Sequence, residues 1–168
     1  NRFPVARPNL DIDYWMFVDY GTFKHLVLPR LINLKENKKD LPKIITTEYI
    51  AKTEAIEYHN YIHQSFKLHD KIQVEDINKL YIKPTGATVA HCAINYALCL
   101  GAKRVILLGI DLENTWKYFY NFQQPDKSDI KIANMRYGVY AYSDFGEILT
   151  LNPNSTLDQQ YVKIISPK

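Results

Sequence analysis

The chain has 168 residues, 46% of them hydrophobic and 23% charged, enough to bury the core of one domain without a disulfide or metal staple. Its 21 Lys and Arg against 18 Asp and Glu leave a net charge of +3, too small and too scattered to mark a nucleic-acid surface. No apolar run reaches the roughly 18 residues of a membrane helix, and no signal peptide is expected, so a membrane protein, secreted mini-protein, coiled coil or disordered tail is excluded.

In chain order, Tyr14–Val18 predicts a short strand ending on Asp19-Tyr20-Gly21. His25–Leu34 reads as helical, with Pro29 arguing for a break inside it. Lys43–Thr47 predicts a second strand, Tyr49–Phe66 a helix with an aromatic face, and Lys71–Tyr81 a loop with a short strand or helical turn. The most legible stretch follows. Pro84-Thr85-Gly86 breaks the chain, and Ala87–Leu100 places Val89, Cys92, Ala93, Tyr96, Ala97 and Leu100 at helical spacing. Gly101 is a natural residue to end that helix, because a left-handed backbone costs it little. Val105–Ile110 is then an unbroken apolar run ending on Asp111, expected to be buried on both faces within a parallel sheet. Leu112–Lys131 is a long aromatic and polar connection beyond that strand, a candidate lid. Gly138–Tyr142 and Glu147–Leu151 flank Ser143-Asp144-Phe145-Gly146 and predict a C-terminal β-hairpin. Asn152-Pro153-Asn154-Ser155 predicts a turn and Tyr161–Ile165 a final strand.

This succession predicts one α/β domain over residues 1–168, Rossmann-like, with a mostly parallel sheet flanked by helices. The chain starts at Asn1 rather than Met, so an N-terminally incomplete domain is expected. Cys92 and Cys99 lie too far apart along one helix to bridge, which favours a reducing, cytoplasmic setting.

Four constellations could carry chemistry. Thr85, Gly86 and Thr88 stand at a helix start, where free N–H groups and the dipole favour an anion; an ordinary N-cap explains them equally well. Asp111, with Asp19 as its weaker counterpart, sits at a strand's carboxyl end, where a carboxylate can hold ribose, bind a metal or accept a proton. Either acid also serves as a plain cap. His59 and His63 would share a helix face, but without a third ligand they read as solvated, while His91 reads as a partly buried structural residue. Trp116, Tyr118, Phe119 and Tyr120 could hold a phosphate or stack on a base, or could simply fold back onto the sheet.

The run Gly86-Ala87-Thr88-Val89-Ala90-His91-Cys92-Ala93-Ile94, with Gly101-Ala102-Lys103 and Val105-Ile106-Leu107-Leu108-Gly109-Ile110-Asp111, resembles the MptE-like (hydroxymethylpterin diphosphokinase-like) Rossmann family. The same helix–strand unit is similar to that of bacterial lipooligosaccharide sialyltransferases. Asn1-Arg2-Phe3 resembles their Asn-Gln-Phe, and Asn152-Pro153-Asn154-Ser155-Thr156-Leu157 their Cys-Pro-Asn-Ser-Leu-Leu. This resemblance implies a transferase, glycosyltransferase-like, that takes a nucleotide or nucleotide-sugar donor and a small-molecule or glycan acceptor. Asn1, Asp19, Thr85, Gly86, Thr88, Tyr118, Tyr120, Asn154 and Ser155 would contact the donor or acceptor, with Thr85-Gly86 and Thr88 competing for one role. No His follows His91 to match those transferases' base, which leaves Asp111 as the catalytic residue. The alternatives are an MptE-like diphosphokinase using Mg²⁺, or a non-catalytic Rossmann-like assembly module, which could be oligomeric. Their first strand and phosphate loop would lie before Asn1.

Overall fold

A computed structural model describes residues 12–36, 42–53, 62–69, 74–81, 88–110, 112 and 129–166. The chain divides into two compact units, one up to Lys67 and one from Leu68 onward. Each carries parallel strands with helices packed on them, so the α/β, Rossmann-like arrangement read from the sequence is what the structure shows.

In the first unit, β1 (Tyr14–Met16), β2 (Lys43–Thr47) and β3 (Ile62–His69) are parallel, with β2 between the other two. After β1 the chain is helical from Tyr20 to Glu36: α1 (Tyr20–Thr22), a π-helical turn (Phe23–Val27) and α2 (Leu28–Glu36). Pro29 does not break this run. A proline ring collides with the carbonyl four residues back, but here Leu28 N–H reaches five back, to Phe23, and the widened turn absorbs the ring. The turn also directs Phe23, Val27 and Leu31 onto Trp15, Phe17, Ile44 and Ile50, with the Phe17 and Phe23 rings stacked at 5.5 Å. α3 (Glu48–Thr53) starts where the Thr47 hydroxyl accepts the Ile50 N–H. Of the helix expected over Tyr49–Phe66, the described residues up to Thr53 are helical, and Ile62–Phe66 is part of β3 instead. Burying Phe66 beside β2 outweighs the weak strand preference of His63, Gln64 and Ser65.

The second unit contains β4 (Lys79–Tyr81), α4 (Val89–Cys99), β5 (Arg104–Leu107), α5 (Asp129–Tyr140), a 3₁₀ turn (Ala141–Asp144), β6 (Glu147–Thr150) and β7 (Val162–Ile164). β5, β6 and β7 are parallel with β6 in the middle, pairing Val105 with Ile148 and Ile148 with Val162. α4 ends in a Schellman turn: Ala102 N–H donates to the Ala97 carbonyl, Gly101 N–H donates to the Leu98 carbonyl, and Gly101 takes φ +87°. That tight reversal puts the start of α4 and the carboxyl end of β5 at the same end of the unit.

The predicted C-terminal hairpin is absent. Gly138–Tyr140 closes α5, and the Glu147 strand pairs in parallel with β5 and β7. Ile132, Met135 and Val139 recur along one stripe of α5, and burying that stripe with Tyr142 against Ile148 and Val162 overrides the β-like Gly-Val-Tyr wording. Each such large apolar side chain contributes roughly 1.5–3 kcal/mol. β5 is also shorter than expected, and it is buried on one face only. Leu107 is buried, but Ile106 is 50% and Leu108 67% exposed. The reason is positional: β5 lies at the edge of its three-stranded sheet, and α4 and α5 both pack into the cluster on the Leu107 face. On the opposite face Glu147 is held between Lys163, at 2.9 Å, and Arg104, at 2.8 Å. Lys163 first and Arg104 second hold its carboxyl below the usual range, although the solvent around these surface side chains screens both pairs. No helix among the described residues is long and apolar enough to cross a membrane.

Candidate functional site

Among the described residues of the second unit, a network of polar contacts gathers at the carboxyl ends of β5 and β6. Beyond β5, Gly109 takes φ +66° and Leu112 takes φ +52°. Gly109 accepts that conformation freely, whereas a left-handed leucine costs of order 1–3 kcal/mol and must be held. Two contacts hold it: its side chain is buried in the core, and its carbonyl accepts Arg136 Nε–H at 3.2 Å.

Arg136 also donates through Nη2 to Thr156 Oγ1 at 2.9 Å. Thr156 lies in the loop beyond β6, so one guanidinium on α5 ties together the loops after two adjacent parallel strands. The β6 loop is itself tightly wound. Thr150 Oγ1 donates to the Leu107 carbonyl, its register partner, at 3.4 Å, and accepts Asn152 N–H at 3.2 Å. Asn152 Oδ1 accepts Asn154 N–H at 2.9 Å, and Ser155 Oγ accepts Leu157 N–H at 3.3 Å. The same device occurs in the first unit, where Thr46 Oγ1 donates to the Phe17 carbonyl at 3.1 Å. In both units a buried threonine anchors the backbone where a neighbouring strand departs.

At the same end, Thr88 caps α4. Its hydroxyl accepts Ala90 N–H at 3.1 Å, and its own N–H faces His91 Nδ1 at 3.5 Å. This is a capping box with histidine where glutamate is usual. Because Ala90 N–H and His91 N–H both go to Thr88, the first turn has two fewer donors to offer an anion. Thr88→Ala should therefore cost about 1 kcal/mol of stability and Thr88→Ser only a few tenths, read from denaturant midpoints at unchanged slope. Equal midpoints for all three chains would refute the cap.

His91 is fully buried, and its Nε2–H donates to the Met135 carbonyl at 2.8 Å. Both ring nitrogens are thus used, which fixes the neutral Nε2–H tautomer. Burial holds its pKa below the ordinary 6.5, with the Met135 bond acting weakly the other way. Cys92 is equally enclosed, and burial pushes its thiol up to about 12, so neither residue is presented for catalysis. Both cysteines are free thiols.

Of the residues singled out from sequence, Thr88, Asn154 and Ser155 fall at this end of the second unit. Asp19 belongs to the first unit, where its carboxylate accepts Thr22 N–H at 2.6 Å and the Thr22 hydroxyl, so it acts there as a helix cap. Asn1, Thr85, Gly86, Asp111, Tyr118 and Tyr120 lie outside the described residues, as does His59. His63 stands on a strand, so the expected helical pair of histidines does not form. Among the described residues no group of three or more His, Cys, Asp or Glu could hold a metal ion. Sequence reasoning missed Arg136, because its partners are a backbone carbonyl and a threonine 20 positions on. The Ile132, Met135, Val139 stripe was the available signal that it stands on a helix.

Neither a family model, nor a curated protein, nor a solved structure matches the chain.

Proposed function

We propose that this chain is a nucleotide-dependent transferase, glycosyltransferase-like, whose donor binds beyond the carboxyl ends of β5 and β6. The observation that carries the reading is the strapped pair of loops there: a left-handed Leu112 and the Asn152–Ser155 turn, joined through Arg136. Ligands of open α/β sheets bind in the crevice outside strand carboxyl ends, and energetically costly backbone persists where neighbouring contacts fix it for use. Asp111 directly precedes Leu112 in the chain. In this reading its carboxylate takes the proton of an acceptor hydroxyl as that oxygen bonds to the donor's sugar carbon. The bond from that carbon to the phosphate oxygen breaks, and the nucleotide leaves with the electron pair. Asn154 and Ser155 supply polar contacts to donor or acceptor, and Thr88 offers its hydroxyl proton to phosphate.

Thermal-shift titration with CMP, UDP, GDP and ATP tests the binding half. One of them at about 100 times its Kd should stabilise the chain by about 2.7 kcal/mol. Incubation of the corresponding nucleotide sugar with the chain should then release free nucleotide, seen by chromatography, and Asp111→Asn should abolish that release while retaining the shift. No shift with any of the four nucleotides overturns the reading.

A further inference from the structure

We infer that Arg136 is an anion-binding residue, taking a phosphate group of the ligand on the free edge of its guanidinium. The inference deepens the reading above, on which it rests for the class of ligand. A guanidinium has five N–H donors arranged along two edges. Its bonds to the Leu112 carbonyl and to Thr156 Oγ1 come from Nε and Nη2, which share one edge. The Nη1–Nη2 edge remains. It presents two parallel donors, the geometry that a phosphate or carboxylate accepts in bidentate fashion. Among the described residues no acceptor is recorded at Nη1.

Three features make this more than a structural tie. Arg136 is only half-buried, and its bond to Thr156 is solvent-exposed, so a ligand can reach it. Both acceptors on the used edge are neutral, so no carboxylate among the described residues neutralises the cation. Its position is also fixed in advance. Side chains lean toward the N-terminus of their helix, which carries the guanidinium from the middle of α5 up to the strand ends. There the two bonds hold its plane, and the ordering cost of binding is reduced before any ligand arrives.

The test is calorimetric titration of the 168-residue chain with inorganic pyrophosphate and, separately, with CMP and ADP at constant ionic strength. Arg136→Lys keeps the charge and loses the fork, while Arg136→Gln loses both. Each should weaken pyrophosphate binding about tenfold or more. Thr156→Val removes one bond of the strap but leaves the free edge and its charge, so it should lower the melting temperature and weaken pyrophosphate binding clearly less than either Arg136 variant does. A merely structural Arg136 would give the opposite division: melting temperature lowered in all three variants and affinity altered equally. Unchanged pyrophosphate affinity in folded Arg136→Lys overturns the inference, as does a wild-type chain that binds no pyrophosphate. If the wild type binds pyrophosphate through Arg136 but neither nucleotide nor nucleotide sugar, the transferase reading falls and the anion site stands. If nucleotides bind equally well to Arg136→Lys, the reverse holds.

Discussion

Gly138→Ala should destabilise the protein, against the usual rule for a helix interior. Exchanging glycine for alanine within a helix normally gains about 1 kcal/mol, because the glycine backbone loses more freedom on folding. At position 138 an added Cβ would lie 2.7 Å from both Cε1 and Nε2 of His91, and 3.2 Å from Nδ1. The imidazole cannot retreat. It is fully buried, with one nitrogen bonded to the Met135 carbonyl and the other engaged at Thr88. Overpacking of this kind costs about 1–3 kcal/mol, so the net expectation is a loss of up to about 2 kcal/mol, or a melting temperature lower by up to about 8 °C. Valine should do worse. In a double-mutant cycle with His91→Ala, the two losses should fall short of additivity by about 1 kcal/mol or more, since removing the ring vacates the space. A melting temperature that rises in Gly138→Ala would show that α4 and α5 do not approach as closely as described. The contact also bears on the candidate site. Gly138, Met135 and Arg136 share α5, so the close approach that seats the His91 ring also sets how far the Arg136 guanidinium reaches.

α4 was legible because local chemistry and tertiary demand agree at its ends, where Thr88 caps it and Gly101 reverses the chain, although its core stripe runs through Ile94 and Leu98 while Ala93 and Leu100, expected on that stripe, are exposed. α5 lacks that agreement. Asn134, Tyr137 and Gly138 are poor helix formers, and Tyr137-Gly138-Val139-Tyr140 reads locally as strand. Only packing against His91 explains the glycine, and that partner is 47 positions away. β3 failed for a related reason. Its His63, Gln64 and Ser65 carry no strand signal, and pairing with β2 decides the outcome. β5 misled in the opposite sense: a continuous apolar run suggested burial on both faces, whereas the helices cover only one. At the site, Thr88, Asn154 and Ser155 were visible as capping and turn residues. Arg136 was not, because its acceptors are defined by the loops it joins.

The second large effect is on acid stability, through the same histidine. His91 is neutral in the folded chain, with its pKa depressed by burial, whereas in the unfolded chain it titrates near 6.5. The unfolded state therefore binds the proton more readily. The neutral ring's contribution to stability is fully present above pH 6.5, declines as pH falls below that value, and levels off once pH has passed below the folded-state pKa. Protonation would also put a proton on Nδ1, which in the neutral ring faces the Thr88 N–H, so the cap of α4 fails as the charge appears. His91→Phe keeps a ring beside Gly138 but cannot titrate. It should lower stability at pH 7.5 by about 1–3 kcal/mol, for the loss of the Met135 bond and the capping contact. Between pH 7 and pH 5 it should then lose less additional stability than the wild type does. Urea midpoints at half-unit pH intervals for the two proteins decide the matter. Parallel profiles would mean that His91 takes up its proton as easily folded as unfolded, and that the enclosure between α4 and α5 is open to water. A gap that narrows below pH 6.5 would establish the histidine as the acid-sensitive joint between α4 and the helix that carries Arg136 to the candidate site.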